Sequence, residues 1–156
     1  MKTFFRIAIV LAALNGLPAA FAQKSSAEAP QISDVWIKAT IPGSNVSAAY
    51  LRIKSAKTVK LVKAETAVAN IAELHSMNMK DGVMEMKAEL AFNVPAGKTI
   101  ELKPGGMHIM LMQVAKPIKA GDKVPLVLTF EGTDKKPIIV KLDVTAQDKA
   151  ATAHKH

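Results

Sequence analysis

Turn signals punctuate this chain so closely that little room is left between them for anything longer than a strand. Ile41-Pro42-Gly43-Ser44, Lys80-Asp81-Gly82, Val94-Pro95-Ala96-Gly97, Pro104-Gly105-Gly106 and Gly121-Asp122 each combine residues that pre-set or free the backbone for a reversal. Between them, residues 32–40, 46–54, 58–66, 70–79, 82–90, 99–103, 107–114, 124–131 and 137–144 read as short strands, several with clear apolar/polar alternation. Lys80-Asp81-Gly82 between two such runs is a hairpin signal. Long runs at helical spacing are missing, which argues against a bundle or coiled coil, and the one helical pattern, over 62–72, is weak. Many short strands joined by tight turns bury their apolar faces as two antiparallel layers, so the expected fold class is all-β, a sandwich or barrel.

The first 22 residues stand outside this pattern. Lys2 and Arg6 precede an uncharged, mostly apolar stretch from Ile7 to Leu14, and Ala20-Phe21-Ala22 is a small-residue cleavage site. This is the layout of a secretory signal peptide, too short before Asn15-Gly16 and Pro18 to be a spanning helix. The expected organisation is a signal peptide over 1–22, a polar leader over 23–31, one domain over 32–146 and a flexible histidine-containing tail over 147–156. Cleavage removes two cations and no acid, lowering the net charge from +8 to +6 on the remaining 134 residues. Later stretches fall short of 18 apolar residues, so no membrane span is expected in the mature chain, and its expected location is the periplasm. Nucleic acid is not an expected partner, because the lysines are spread out and only 4% of residues are aromatic. A single copy is the expected state.

Cysteine is absent from all 156 residues. That removes disulfides, iron–sulfur clusters, thiolate zinc sites, blue-copper ligation and cysteine catalysis together. Methionine, by contrast, occurs eight times, and seven of these lie between Met77 and Met112. Two of the four histidines, His75 and His108, lie among or beside them. Methionine commonly fills cores, which accounts for some of the cluster. It does not account for histidines of matching strand parity. With Asp81-Gly82 as a two-residue turn, Met77 pairs with Met86, and His75, Met77, Met79, Met84 and Met86 share one face, with His75 and Met86 diagonal neighbours. His108, Met110 and Met112 share a face of their own strand, whereas Met107 has the opposite, core parity of Ile109 and Leu111. Met79, Met84 and Met112 read as core or rim filler, and Trp36 and Tyr50 as core anchors.

Thioethers are soft donors that select Cu(I), and imidazole binds it too. Hard cations want oxygen ligands, and zinc prefers more histidine, cysteine or carboxylate than this cluster offers. A methionine–histidine site also resists closure into a disulfide outside the cytoplasm.

At these residues the chain resembles the PCu(A)C-type periplasmic copper chaperones. Their signature is a His, ten residues, a Met, twenty-one residues, then His-x-Met. Here the same spacing runs from His75 to Met86 to His108-Ile109-Met110. Further similar stretches are Asp34 to Thr40, Ala48-Ala49-Tyr50, Asp81 to Met84, Val94 to Gly97, Leu102 to Gly106 and Pro125 to Phe130, so the resemblance covers about residues 32–145. It implies a cupredoxin-like Greek-key β-sandwich that is not an enzyme. It also implies Cu(I) ligation by His75, Met86, His108 and Met110, with delivery toward the copper centre of cytochrome c oxidase (the subunit II copper domain) or to other periplasmic copper proteins. Some members have Met directly after the first His. Here that residue is Ser76, and Met77 follows as an auxiliary candidate. His154 and His156 form a second auxiliary candidate, for Cu(II), since similar proteins sometimes carry such tails.

Two other classes stay open on sequence. One is a copper-buffering or resistance protein, with the same site but no acceptor. The other is a secreted β-sandwich for adhesion or assembly, in which the methionines are only core. Hydrolytic chemistry has no support, because no G-x-S-x-G motif occurs and the acids are scattered.

Overall fold

The computed structural model describes residues 29–149, and every helix or strand in that range is a strand. The expected signal peptide and the tail histidines His154 and His156 lie outside the described residues. Five strands come first: β1 (Gln31–Lys38), β2 (Ser47–Lys54), β3 (Val59–Glu65), β4 (Ala69–Lys80) and β5 (Val83–Glu89). The short β6 (Phe92–Val94) and β7 (Thr99–Leu102) follow, then β8 (His108–Val114), β9 (Lys123–Gly132) and β10 (Pro137–Gln147). One layer runs β5-β4-β8-β2-β1, with β7 also paired to β2, and the other runs β10-β9-β3-β6. A short parallel pairing, Ile37 with Ala146 and Lys38 with Gln147, joins them. The crossovers, with β8 between β4 and β2 and β1 beside β10, make this a Greek-key β-sandwich, as expected.

Alternation places the core. Ile37, Ala49, Leu51 and Ile53 from β1 and β2, Ile109 and Leu111 from β8, and Leu126, Leu128 and Phe130 from β9 point between the layers and are buried. Each large apolar side chain so buried contributes about 1.5–3 kcal/mol. Met107 packs against this core from just before β8, in keeping with its parity.

Two sequence expectations change. The helical pattern over 62–72 is not a helix, since these residues divide between β3 and β4. Its cause is a bulge: the β3–β9 register shifts between Leu61 and Lys63, so Leu61 and Ala64 both reach the core three residues apart. A bulge of this kind imitates helical spacing in the sequence. β6 leaves no signal in the sequence, because three residues are too few to show a period, although Phe92 and Val94 are buried.

β4 is the longest strand, at 12 residues, and it serves two structures. Ala69 to His75 pairs with β8 inside the layer, while Leu74 to Lys80 pairs with β5. From Ser76 onward β4 has left β8 behind and continues with β5 as a two-stranded arm. Asp81 (φ 51°) and Gly82 (φ 80°) close it. Two successive positive φ values are the backbone of a type I′ turn, which favours Asp-Gly and matches strand twist.

Candidate metal site

The site is assembled on the face of the β4–β8–β2 layer that points away from the core. In register, His75 lies directly opposite His108, and Glu73 opposite Met110. The two imidazole centroids are 5.8 Å apart. On the other side of β4, His75 lies opposite Ala88, and Met77 opposite Met86, so Met86 is the diagonal neighbour of His75 in the hairpin register the turn dictates. Met110 lies between Glu73 of β4 and Ala48 of β2. A cleft of about 200 Å³ opens here, lined by Ala48, Tyr50, Met77, Met86, His108 and Met110 and walled by residues of the 38–46 segment. His75 is not in the cleft wall itself. It stands next to it, across from His108.

Both imidazoles have one nitrogen committed. His108 is buried, and its Nδ1–H donates to the carbonyl of Gly106 at 3.0 Å. That carbonyl is presented by the Pro104-Gly105-Gly106 turn, where Gly105 has φ 77° and Gly106 N–H donates to the carbonyl of Lys103 at 3.0 Å. Nε2 of His108 therefore carries the lone pair. Burial pushes the His108 pKa down, the Gly106 bond partly opposes this, and the neighbouring His75 lowers it further, so the neutral, donor-ready ring is favoured. His75 Nε2 lies 3.0 Å from a Glu73 carboxylate oxygen, which can only accept, so Nε2 carries the proton. Its Nδ1 is buried and has no hydrogen-bond partner. A buried, unpartnered lone pair costs roughly 1–3 kcal/mol unless something fills it. Carboxylate and carbonyl partners that fix a tautomer and leave the second nitrogen free are what metal-binding histidines commonly have.

The donors left facing outward are two imidazoles and a set of thioethers. Among the described residues, no three of His, Cys, Asp or Glu gather where they could hold a metal ion. Met112 shares the Met110 face but sits opposite Ile71, one pair further along and outside the cleft wall. Met79 and Met84 pair with each other near the tip of the arm and are exposed, so neither fills the core.

Tyr50 is buried, as a core anchor would be, though outside the main core cluster, whereas Trp36 is only half-buried. They pair across β1 and β2 with ring centroids 4.5 Å apart and planes tilted by 34°, and Tyr50 lies 6.4 Å from the His108 ring. Their parity opposite Ala49, Leu51 and Ile53 was the available signal of a place outside that cluster, obscured by a bulge between Ser33 and Trp36. Burial raises the Tyr50 pKa, so it stays a phenol. Glu73 and Gly106 were also missed. Glu73 was legible as the acid two residues from His75 on the same face. No sequence signal marked the Gly106 carbonyl.

Residues 31–144 match the family model described as "LpqE-like: Putative lipoprotein LpqE-like". The chain is 36% identical over 142 residues to "Putative lipoprotein Lxx21020" of Leifsonia xyli subsp. xyli (strain CTCB07), covering 86% of this chain and 84% of that protein. Among solved structures it is similar to DR1885 from Deinococcus radiodurans in two forms. The apo form is 26% identical with a TM-score of 0.59, covering 94% of this chain and 97% of that one. The Cu(I) form is 31% identical with a TM-score of 0.53, covering 85% and 89%. The copper-bound PCuAC domain from PmoF2, 18% identical with a TM-score of 0.57 over 75% of this chain and 92% of that domain, shares the cupredoxin-like fold.

Proposed function

Because this chain belongs to the LpqE-like family and folds as PCuAC domains do, we propose that it is an extracytoplasmic copper carrier without catalytic activity. Its cargo is Cu(I), held by His75, Met86, His108 and Met110, with Met77 as an auxiliary donor. One observation carries this reading. Two imidazoles face each other, each with one nitrogen hydrogen-bonded to a protein oxygen, and the free Nδ1 of His75 is buried without a partner beside a thioether-lined cleft. Soft, uncharged donors of this kind favour monovalent copper over zinc, magnesium or calcium. The copper-bound forms of the similar structures support the cargo, and the lipoprotein names of the family and relative support an envelope location. A bacterial lipoprotein carries its lipid on cysteine, and these 156 residues contain none, so lipidation is not carried over from those names.

Delivery is proposed toward a respiratory oxidase copper centre, or another copper protein of the same compartment. His154 and His156 are proposed as a weaker Cu(II) site. Titration of Cu(I) against a chromophoric competitor tests the main reading, with one tightly held equivalent expected. Failure to compete, or equal retention of zinc, overturns it.

A further inference from the structure

Met79 and Met84 have no role in the core or in the cleft, yet they occupy a particular place. They are register partners one pair beyond Met77 and Met86, on the same face of the arm. Lys80 and Val83 flank the two-residue turn as its hydrogen-bonded pair, so by alternation both methionine pairs fall at non-hydrogen-bonded positions, where facing side chains approach most closely, Cα to Cα about 4.5 Å. The two pairs are separated by two residues along the strand, roughly 6.7 Å. They thus form a ladder of four thioethers leading from the tip of the arm to the cleft.

Packing does not explain the outer pair. Met79 is 65% exposed and Met84 51%. Among the described residues, β5 pairs only with β4, and beyond His75 no further strand lies beside the arm. Strand propensity does not explain it either, since exposed strand positions favour β-branched and aromatic residues. What two facing thioethers on flexible stems do offer is a two-donor site for a soft monovalent ion.

We propose that Met79 and Met84 form a second, weaker thioether site for Cu(I), through which the ion reaches and leaves the cleft. The proposal rests on the copper-carrier reading for the identity of the cargo. The transfer is ligand exchange alone. One thioether joins the ion as another leaves, copper stays Cu(I), and no proton or electron moves. An ion held at the outer pair is presented to Met77 and Met86 at an effective concentration on the order of millimolar, which speeds exchange without changing the final affinity.

The test uses Ag(I) as a redox-inert probe on the full chain carrying labelled methionine methyl groups. Met86 and Met110 should shift with the first equivalent, and Met79 and Met84 with a second, weaker one. The double variant M79L/M84L should keep the first equivalent and lose the second. Its exchange of Cu(I) with a chromophoric chelator should slow by about tenfold at unchanged equilibrium affinity. Silence of Met79 and Met84 through both equivalents, or wild-type exchange rates in M79L/M84L, overturns the proposal. Silence of Met86 and Met110 with a response at Met79 and Met84 overturns the cleft reading instead and leaves the outer pair as a site in its own right.

Discussion

The candidate site has two halves built on opposite principles. The histidine half lies inside the sandwich layer, where β4 is paired on both sides, His108 is buried, and each ring is fixed by an oxygen from Glu73 or Gly106. The methionine half on the arm lies where β4 has only β5, and Met86 is 46% exposed. Met110 belongs with the histidines, flanked by β2 and β4. The contrast separates two demands on a carrier. On the proposed reading, a preorganised half would supply affinity, because little ordering is left to do when an ion binds. An adaptable half on a ribbon of thioethers would supply exchange, because its donors could be swapped one at a time.

The comparison is most directly broken at His108. His108→Gln should abolish the tight Cu(I) equivalent, lowering affinity by more than about 100-fold, since loss of a direct donor exceeds the 10–100-fold cost of losing its hydrogen-bond partner. A thermal melt of the metal-free variant checks that the sandwich remains. Next come the thioethers. Met110→Leu and Met86→Leu conserve volume, so each should change stability by less than about 1.5 kcal/mol. Competitor titrations should find Met110→Leu the worse for Cu(I), because Met77 lines the cleft beside Met86, while Met112, the same-face neighbour of Met110, lies outside the cleft wall. Equal losses would mean that the two halves do not differ as argued. Met107→Leu should leave affinity intact, because Met107 packs on the core.

Glu73 sharpens the rigid half. Glu73→Ala should weaken Cu(I) binding by about tenfold by freeing the His75 ring, while Glu73→Gln, whose side-chain carbonyl still accepts from Nε2, should restore most of it. A purely structural role would move the melting temperature in step with affinity, and that is the readout to compare. The smallest effect is expected at Gly82. An added Cβ meets no atom there, but the φ of 80° strains any L side chain. Gly82→Ala should therefore cost the arm about 1 kcal/mol. Amide exchange should quicken over residues 76–87 while the global melt stays nearly unchanged.

The turn chemistry made most of the fold legible in the sequence. Asp81-Gly82 alone set the register that pairs Met77 with Met86 and puts Met86 diagonal to His75. Parity separated Met107 from Met110. What stayed hidden arose where the period of two is interrupted. The bulge in β3 turned a strand into an apparent helix, and the bulge in β1 hid the outward position of Trp36. The facing of His75 and His108 is a contact between β4 and β8, and no local pattern encodes which strands become neighbours. The carbonyl that fixes His108 belongs to backbone, so its residue type, glycine, gave no sign of it.

The pairing of Trp36 with Tyr50 has an optical consequence. Trp36 is the only tryptophan in the chain, and its ring lies 4.5 Å from that of Tyr50, which in turn lies 6.4 Å from the His108 ring. Lys149, near the end of the described chain, places its ammonium 5.4 Å from the centre of the same indole. An ion bound at His108, as proposed, and any displacement of Lys149 would therefore both act near a single indole. Excited selectively at the indole, ultraviolet emission from this protein should change as the cleft is loaded, read from one tryptophan with no dye or tag.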